Sequence, residues 1–336
     1  MDIRKKMMFF TILLVVGISI HGFSQIPDLK EVQNGVAELS LNLAKSLPFN
    51  SSLGMNWSDA YIGKLFPSMP PHLGVGGAFG FTTLELPLMR TLAGYFGYKL
   101  PFDTGRLFLP AYTAEARLGG LFLPFDIGFK FGYLPPIGLW GTDMNMNYLL
   151  AGGDIRFAVL DKAVLPKISF GVGLNYLKAG VSGSAGRAQK IEYGNPGNFI
   201  TLERPDVSIN WDTIALDFKL QVSKSILLVT PYLGLGGSYA WSSAGYSVDA
   251  KITNSGGNEI DVADINAINN YLHSIGVEGT DINGKGLSSV IKNNAFSFRA
   301  FGGFSVNLMM FKLDLTGLYN FRDSNFGGSF GFRFQV

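Results

Sequence analysis

The stretch 326–336 reads FGGSFGFRFQV, and its alternation decides what kind of structure this chain forms. Phe326, Gly328, Phe330, Phe332, Phe334 and Val336 share one face of an extended strand, while Gly327, Ser329, Gly331, Arg333 and Gln335 share the other. A period of two with large apolar groups on one side only marks a strand with one apolar surface. Residues 311–321 repeat the pattern, with Phe311, Leu313, Leu315, Gly317, Tyr319 and Phe321 opposite Lys312, Asp314, Thr316, Leu318 and Asn320. Working back along the chain, the same alternation marks 295–308, 226–248, 209–222, 166–181, 145–160, 124–134, 110–120 and 72–84, which makes ten strands.

A soluble barrel with its apolar face turned inward also alternates, so the connections must separate the two cases. Residues 85–109, 182–208 and 249–294 are long connections and 135–144 is a medium one, whereas 121–123, 161–165, 223–225 and 309–310 are short. Short turns on one side and long loops on the other are the mark of transmembrane barrels, as is an even strand number. The expected fold is therefore all-β: an antiparallel transmembrane β-barrel of about ten strands over residues 71–336, with a short N-terminal helical segment.

The opening residues point to export. Arg4, Lys5 and Lys6 precede an apolar run from Met7 to Ile20 that is too short to cross a bilayer, and Gly22 and Ser24 supply the small residues before a cleavage site. Residues 1–24 are expected to be a signal peptide removed before Gln25, and a bacterial outer membrane is the expected location. The remainder carries 24 basic and 24 acidic residues. That balance offers no electrostatic case for nucleic acid. Charged residues are 15% of the chain, below the roughly 25% of soluble domains. Cysteine is absent, which excludes thiol catalysis, thiolate zinc and disulfide stapling. Stability must come from closed hydrogen bonding and packing, both of which a barrel supplies.

The export signal, the aromatic alternation of the last strand and the loop asymmetry together resemble the Gram-negative outer-membrane β-barrel superfamily over residues 72–336. That resemblance implies outer-membrane lipid and the barrel-insertion machinery as partners. Val336 departs from the aromatic residue with which the family usually ends. In residues 25–70, Pro27 and Asp28 start an amphipathic helix carrying Leu29, Val32, Val36, Leu39 and Leu43 on one side. Strand parity puts this segment on the periplasmic side at the barrel mouth, as a plug or as a cap. As a plug it is similar, by analogy, to the hatch of long-chain fatty acid transporters.

If the apolar faces meet lipid, the alternate positions point inward. The inward set is Glu115, Arg117, Asp126, Lys130, Asp154, Arg156, Lys167, Asp217, Lys219, Arg299, Lys312, Asp314 and Arg333, with the charges toward the periplasmic ends of their strands. Glu115–Arg117, Asp154–Arg156, Asp217–Lys219 and Lys312–Asp314 lie two apart on one face, where opposite charges neutralise within a strand and across to its neighbours. Ten strands enclose a constricted lumen, since about eight are filled by side chains alone and channels need about sixteen. The charges either pair and fill that interior or form a basic-leaning filter for anions. Inward Gly74, Gly76, Gly80, Gly171 and Gly173 leave local room for a helix, a loop or a small solute.

Two apolar elements fall in the long connections: a short helix with Val262, Ile265, Ile268, Leu272 and Ile275, and the stretch 87–98 with Leu88, Leu92 and Phe96. They form either a lid or a hydrophobic entry site. An enzyme is not expected. Past the signal only His72 and His273 remain, neither beside a nucleophile motif or a carboxylate pair. Asp261, Asp264 and Asp281 lack calcium-loop spacing, and Gly74–Gly80 opens no helix that could cradle phosphate. No cofactor or metal is expected. Two functions stay open: a narrow or gated, porin-like channel for uptake of small or apolar solutes, and a surface-exposed interaction or anchoring protein with a sealed lumen. The residues do not specify an oligomeric state.

Overall fold

A strand that is polar on one face and apolar on the other still leaves its two edges unpaired, and edges are tolerated in hydrocarbon only when the sheet closes on itself. The computed structural model describes residues 29–65, 71–85, 106–138, 144–162, 164–184, 189–192, 199–202, 206–249, 252–253, 266, 270, 281–283 and 286–336. A helix α1 (Leu29–Asn50) precedes strands β1 (Leu73–Glu85), β2 (Arg106–Gly119), β3 (Phe125–Gly138), β4 (Met144–Leu160) and β5 (Lys167–Ser184). Two short strands, β6 (Gln189–Glu192) and β7 (Phe199–Leu202), lead to β8 (Asp206–Ser223) and β9 (Val229–Asp249). The short β10 (Ile252–Thr253) and β11 (Asp281–Asn283) precede β12 (Gly286–Leu308), β13 (Phe311–Asn320) and β14 (Asn325–Gln335).

The ten long strands form an antiparallel barrel in chain order. It closes where β14 pairs with β1, from Gly74 opposite Gln335 to Thr82 opposite Gly327. β6, β7 and β10 make a small separate sheet. The tight turns after β2, β4, β8 and β12 lie at one end, with Leu227 and Met309 at positive φ; the longer connections lie at the other, together with the tight turn 321–324 after β13. The expected strands are all present, and several run further than their alternation indicates. β9 continues to Asp249 and β12 starts at Gly286, as a paired hairpin inside the stretch expected to be a loop. β3 continues past Pro135 and Pro136 to Gly138 through a register shift between Leu134 and Ile137. Cross-strand pairing carried these segments on after their apolar alternation had stopped.

The outer face shows why the alternation stops. On β5 the outward Ile168, Phe170, Val172, Leu174 and Tyr176 are apolar and the next outward residue is Lys178; on β8 the run Ile214–Val222 is apolar and the next is Asp212. Lys178 lies opposite Asp212, Asp212 opposite Ser243 on β9, and Ser243 opposite Lys292 on β12. The change from apolar to polar therefore falls on one rung across β5, β8 and β9, and one outward position earlier, at Asn294 opposite Trp241, on β12. Nine residues of belt, Ile168–Tyr176, lie on the short-turn side of it, matching the roughly 9–11 that a tilted strand needs to cross hydrocarbon. Tyr239 and Trp241 meet edge-on at 5.0 Å near its margin, as interfacial aromatics do.

One seam is partial. β2 pairs with β3 only from Ala114 to Gly119, and nearer the long-loop end β2 pairs with β1 alone and β3 with β4 alone. The expected signal peptide, the stretch 87–98, His273 and the loop residues Val262, Ile265, Ile268, Leu272 and Ile275 lie outside the described residues.

Candidate functional site

The candidate site is the lumen, and the chain itself occupies it. Residues 40–62 are buried almost without interruption. From the end of α1 the chain descends: Asn50 donates its amide to Thr82, near the long-loop end of β1. Met55 N–H reaches Glu115 Oε1 at 2.9 Å, Ile62 N–H reaches Asp126 Oδ2 at 3.1 Å, and Leu65 N–H bonds Gly120 O at 2.9 Å in a short turn. α1 therefore rises from this point toward the long-loop end, and its 22 residues span about 33 Å at 1.5 Å per residue. Strand parity places the segment at the short-turn mouth; the structure puts only its last part there and the helix in the opposite half of the lumen.

Two layers receive this segment. Toward the long loops, Leu43, Ala44 and Leu47 of α1 join a buried apolar cluster with Leu150, Leu177, Val181, Ile209, Trp211 and Ala244. Below lie the inward charges. All thirteen anticipated residues point inward; eleven are buried, while Lys167 and Lys312 are partly so. The side chain of Lys167 is 38% exposed and pairs with Asp161 at the rim, at 3.3 Å.

The charges pair chiefly across strands. Asp126 takes Arg156 through two bonds of 2.8 Å and also Arg117, and Arg117 reaches Asp154 at 2.7 Å. Asp217 takes Arg299 through bonds of 2.7 and 2.9 Å and accepts Ser238 Oγ at 2.7 Å. Arg333 meets Asp314 at 3.0 Å and Lys219 meets Asp154 at 3.2 Å. Of the four pairs expected within a strand, Asp217–Lys219 forms as an ion pair, at 4.0 Å. Forked guanidinium–carboxylate contacts need the two groups face to face; Asp126 and Arg156 achieve this as register partners on adjacent strands, while Asp217 and Arg299 reach each other across β9.

What remains of the lumen's bonding goes to the buried segment. Glu115 accepts Trp57 Nε1–H at 2.6 Å as well as Met55 N–H. Lys130 donates to Ser51 O at 2.7 Å and Leu53 O at 2.6 Å, just past the end of α1, where a cation offsets the helix dipole. Arg156 donates to Asp59 O at 2.7 Å and Gln221 to Trp57 O at 2.8 Å. Tyr232 donates to Asn56 O at 3.1 Å and Ala60 N–H to Ser223 Oγ at 2.9 Å. Asp59 brings its carboxylate to Lys312 at 2.7 Å and Arg333 at 3.0 Å. The Trp57 ring lies under the Arg333 guanidinium at 4.5 Å.

The inward glycines make room for this arrangement. A Cβ on Gly74 would sit 2.8 Å from the Trp57 ring, and one on Gly128 would sit 1.9 Å from Met55 Cε. Gly171 and Gly173 lie beside Arg156 and Asp154, and Gly76 and Gly80 against the backbone of β14. An interior void beside Trp57, Glu115, Asp314 and Arg333 measures about 10 Å³, room for roughly one water. Asp59, Trp57 and Met55 were not among the anticipated residues. They sit in SSLGMNWSDAYI, residues 51–62, which has neither helical nor strand periodicity. The available signal was the surplus of inward bases over acids, which calls for acceptors from elsewhere in the chain.

No protein-family model and no curated protein matches the chain by sequence. Among solved structures it is similar to the translocator domain of the autotransporter NalP from Neisseria meningitidis, with 9% identity over 91% of this chain and 98% of that one and a TM-score of 0.34. It is also similar to the transport unit of the autotransporter AIDA-I from Escherichia coli (9% identity, 90% and 99% covered, TM-score 0.22). A third is CdiB from Acinetobacter baumannii (9% identity, 79% and 60% covered, TM-score 0.17). The analogy to long-chain fatty acid transporters receives no support from these comparisons.

Proposed function

We propose that this chain is an outer-membrane β-barrel, sealed by its own N-terminal segment, that serves as a surface-exposed interaction or anchoring protein with its long-loop end as the working face. The observation that carries this reading is the packing of residues 51–62. Their backbone and Asp59 are bonded by side chains from eight strands, β2, β3, β4, β5, β8, β9, β13 and β14. A barrel built as an open channel would leave its inward charges to water, whereas here they are spent on the segment and on one another. The nine-residue apolar belt and the polar rung at Lys178 and Asp212 support membrane placement. The four strands that continue past that rung build a wall on the long-loop side.

Conductance of the refolded full chain in planar bilayers tests the reading, with insertion verified by heat-modifiable migration. The expected result is inserted protein without discrete ionic currents. Stepwise currents from the unaltered chain would overturn the sealed lumen and restore a channel for small solutes.

A further inference from the structure

Two-residue hairpin turns favour Gly, Asn or Asp, because at least their first residue adopts positive φ. Two turns of the short-turn rim use bulky apolar residues instead: Leu227–Leu228 between Ile226 and Val229, and Met309–Met310 between Leu308 and Phe311. Leu227 lies at φ 52° and Met309 at φ 57°, and their side chains stand in the open at 96% and 99% exposure. A bulky residue in that region is strained, and the barrel itself offers these two no packing in return. At the opposite end Ser324 holds the same conformation, at φ 50°, beside Arg322 and Asp323. Apolar tips thus belong to one rim, and the exposed Phe122 and Val164 extend them to the turns after β2 and β4.

On two hairpins a polar collar separates these tips from the lipid belt. Ser223, Lys224 and Ser225 stand between Val222 of the belt and Ile226. Asp161 and Lys162 precede Val164, and Lys167 follows Leu165 before Ile168 starts the belt. The tips therefore lie beyond the stretch that crosses hydrocarbon. They are also held at fixed spacing: Lys224 donates to Val164 O of the neighbouring turn, Asn307 N–H to Leu228 O at 2.7 Å, and Gln335 N–H to Met310 O at 2.8 Å. Preset knobs suit a protein face, whereas fluid lipid requires no such order. The charges between them are basic. Among the described residues Lys64, Lys162, Lys167 and Lys224 stand at this rim against Asp161, while Lys312 turns inward to Asp59.

We propose that the short-turn rim is a docking surface for a periplasmic protein whose contact face is apolar and acidic, with Leu227 and Met309 as the anchoring knobs. This rests on the membrane reading above, which turns the rim toward the periplasm. Burial of the tips removes apolar surface that would otherwise stay in water, and the lysines between them set the sign of the partner's charge.

The test places the photo-crosslinker p-benzoylphenylalanine at Leu227, at Met309 or at Phe218 of the full chain in living cells. After irradiation one protein is expected to be joined at both Leu227 and Met309 and not at Phe218, through a peptide richer in acids than in bases. Lys64→Glu combined with Lys162→Glu is expected to lower both adducts several-fold, with heat-modifiable migration of the barrel unchanged. No protein adduct at the tips, or adducts indifferent to the charge reversal, overturns the docking surface. A second arm separates protein from lipid. In phosphatidylcholine vesicles carrying an acyl-chain nitroxide, a fluorophore on Phe218→Cys is expected to be quenched and one on Leu227→Cys to escape. Quenching at Leu227→Cys puts the tips in lipid and overturns the proposal while the membrane barrel stands. Quenching at neither position overturns the membrane reading instead.

Discussion

Asp126 on β3 and Arg156 on β4 stand directly opposite each other and join through two bonds of 2.8 Å, with side-chain exposure of 0% and 2%. Arg117 and the N–H of Ile62 converge on the same carboxylate. One acid thus ties three strands and the lumen segment together. Removing one partner of a buried pair leaves uncompensated charge, which costs about 3–5 kcal/mol. Asp126→Asn is expected to lose stability on that scale, read as a lower midpoint in denaturant unfolding of the inserted protein. A loss below about 1 kcal/mol, the worth of an exposed pair, would show that water reaches this layer.

Asp59 tests the hold on the segment more locally. Lys312 and Arg333 both reach its carboxylate, and neither belongs to its own element. Asp59→Asn is expected to speed amide exchange over residues 55–62 while leaving β13 and β14 protected. Equal loss of protection in those strands would mean that the segment and the wall open as one unit.

Gly128 lies where Met55 Cε would be 1.9 Å from any added Cβ, and that Cβ would also be 2.6 Å from Arg117 Nη2. Gly128→Val is therefore expected to expel the segment around Met55, seen as new protease cleavage within residues 51–62 and the appearance of bilayer currents. A silent, uncleaved variant would show that the Met55 and Arg117 side-chain ends give way without moving the backbone of the segment.

In the proposed membrane placement the polar rung marks the hydrocarbon boundary, and the absence of cysteine from the sequence makes that directly testable. Asn210→Cys, outward past the rung, is expected to react with a membrane-impermeant maleimide on intact cells. Phe218→Cys should stay unreactive, and Lys162→Cys, at the short-turn end, should react only after permeabilisation. Reversal of the first and last would invert the barrel.

The path of α1 makes a further claim. Because the helix rises toward the long loops, a flexible epitope inserted immediately before Leu29 is expected to bind antibody on intact cells. Binding only after permeabilisation would put that end in the periplasm.

Much of this was legible along the chain, because a strand's faces are set by a local rule. Alternation from Phe326 to Val336 and its nine repeats defined the strands, the parity of short and long connections defined the two ends, and alternation alone turned Glu115, Arg117 and the other charges inward. The mouth position of residues 25–70 followed from parity too, and there the local rule failed. Parity fixes where a segment joins β1, at Gly63–His72, and says nothing about whether the preceding chain turns outward or upward. That turn is made by bonds between groups distant in sequence: Glu115 with Trp57, Lys130 with the end of α1, and Asp59 with Arg333. Most partners of the charges were likewise non-local: Arg117 meets Asp126 and Asp154 on other strands and not Glu115 two residues away. The partial seam at Pro110, Pro135 and Pro136 belongs to the same class. By itself the sequence determined which residues face inward and which end each strand starts from, because the Cβ alternates along any extended chain. What those inward groups bind was decided only in the folded barrel, where buried charge must find a counter-charge or a backbone partner from whichever strand brings one within reach.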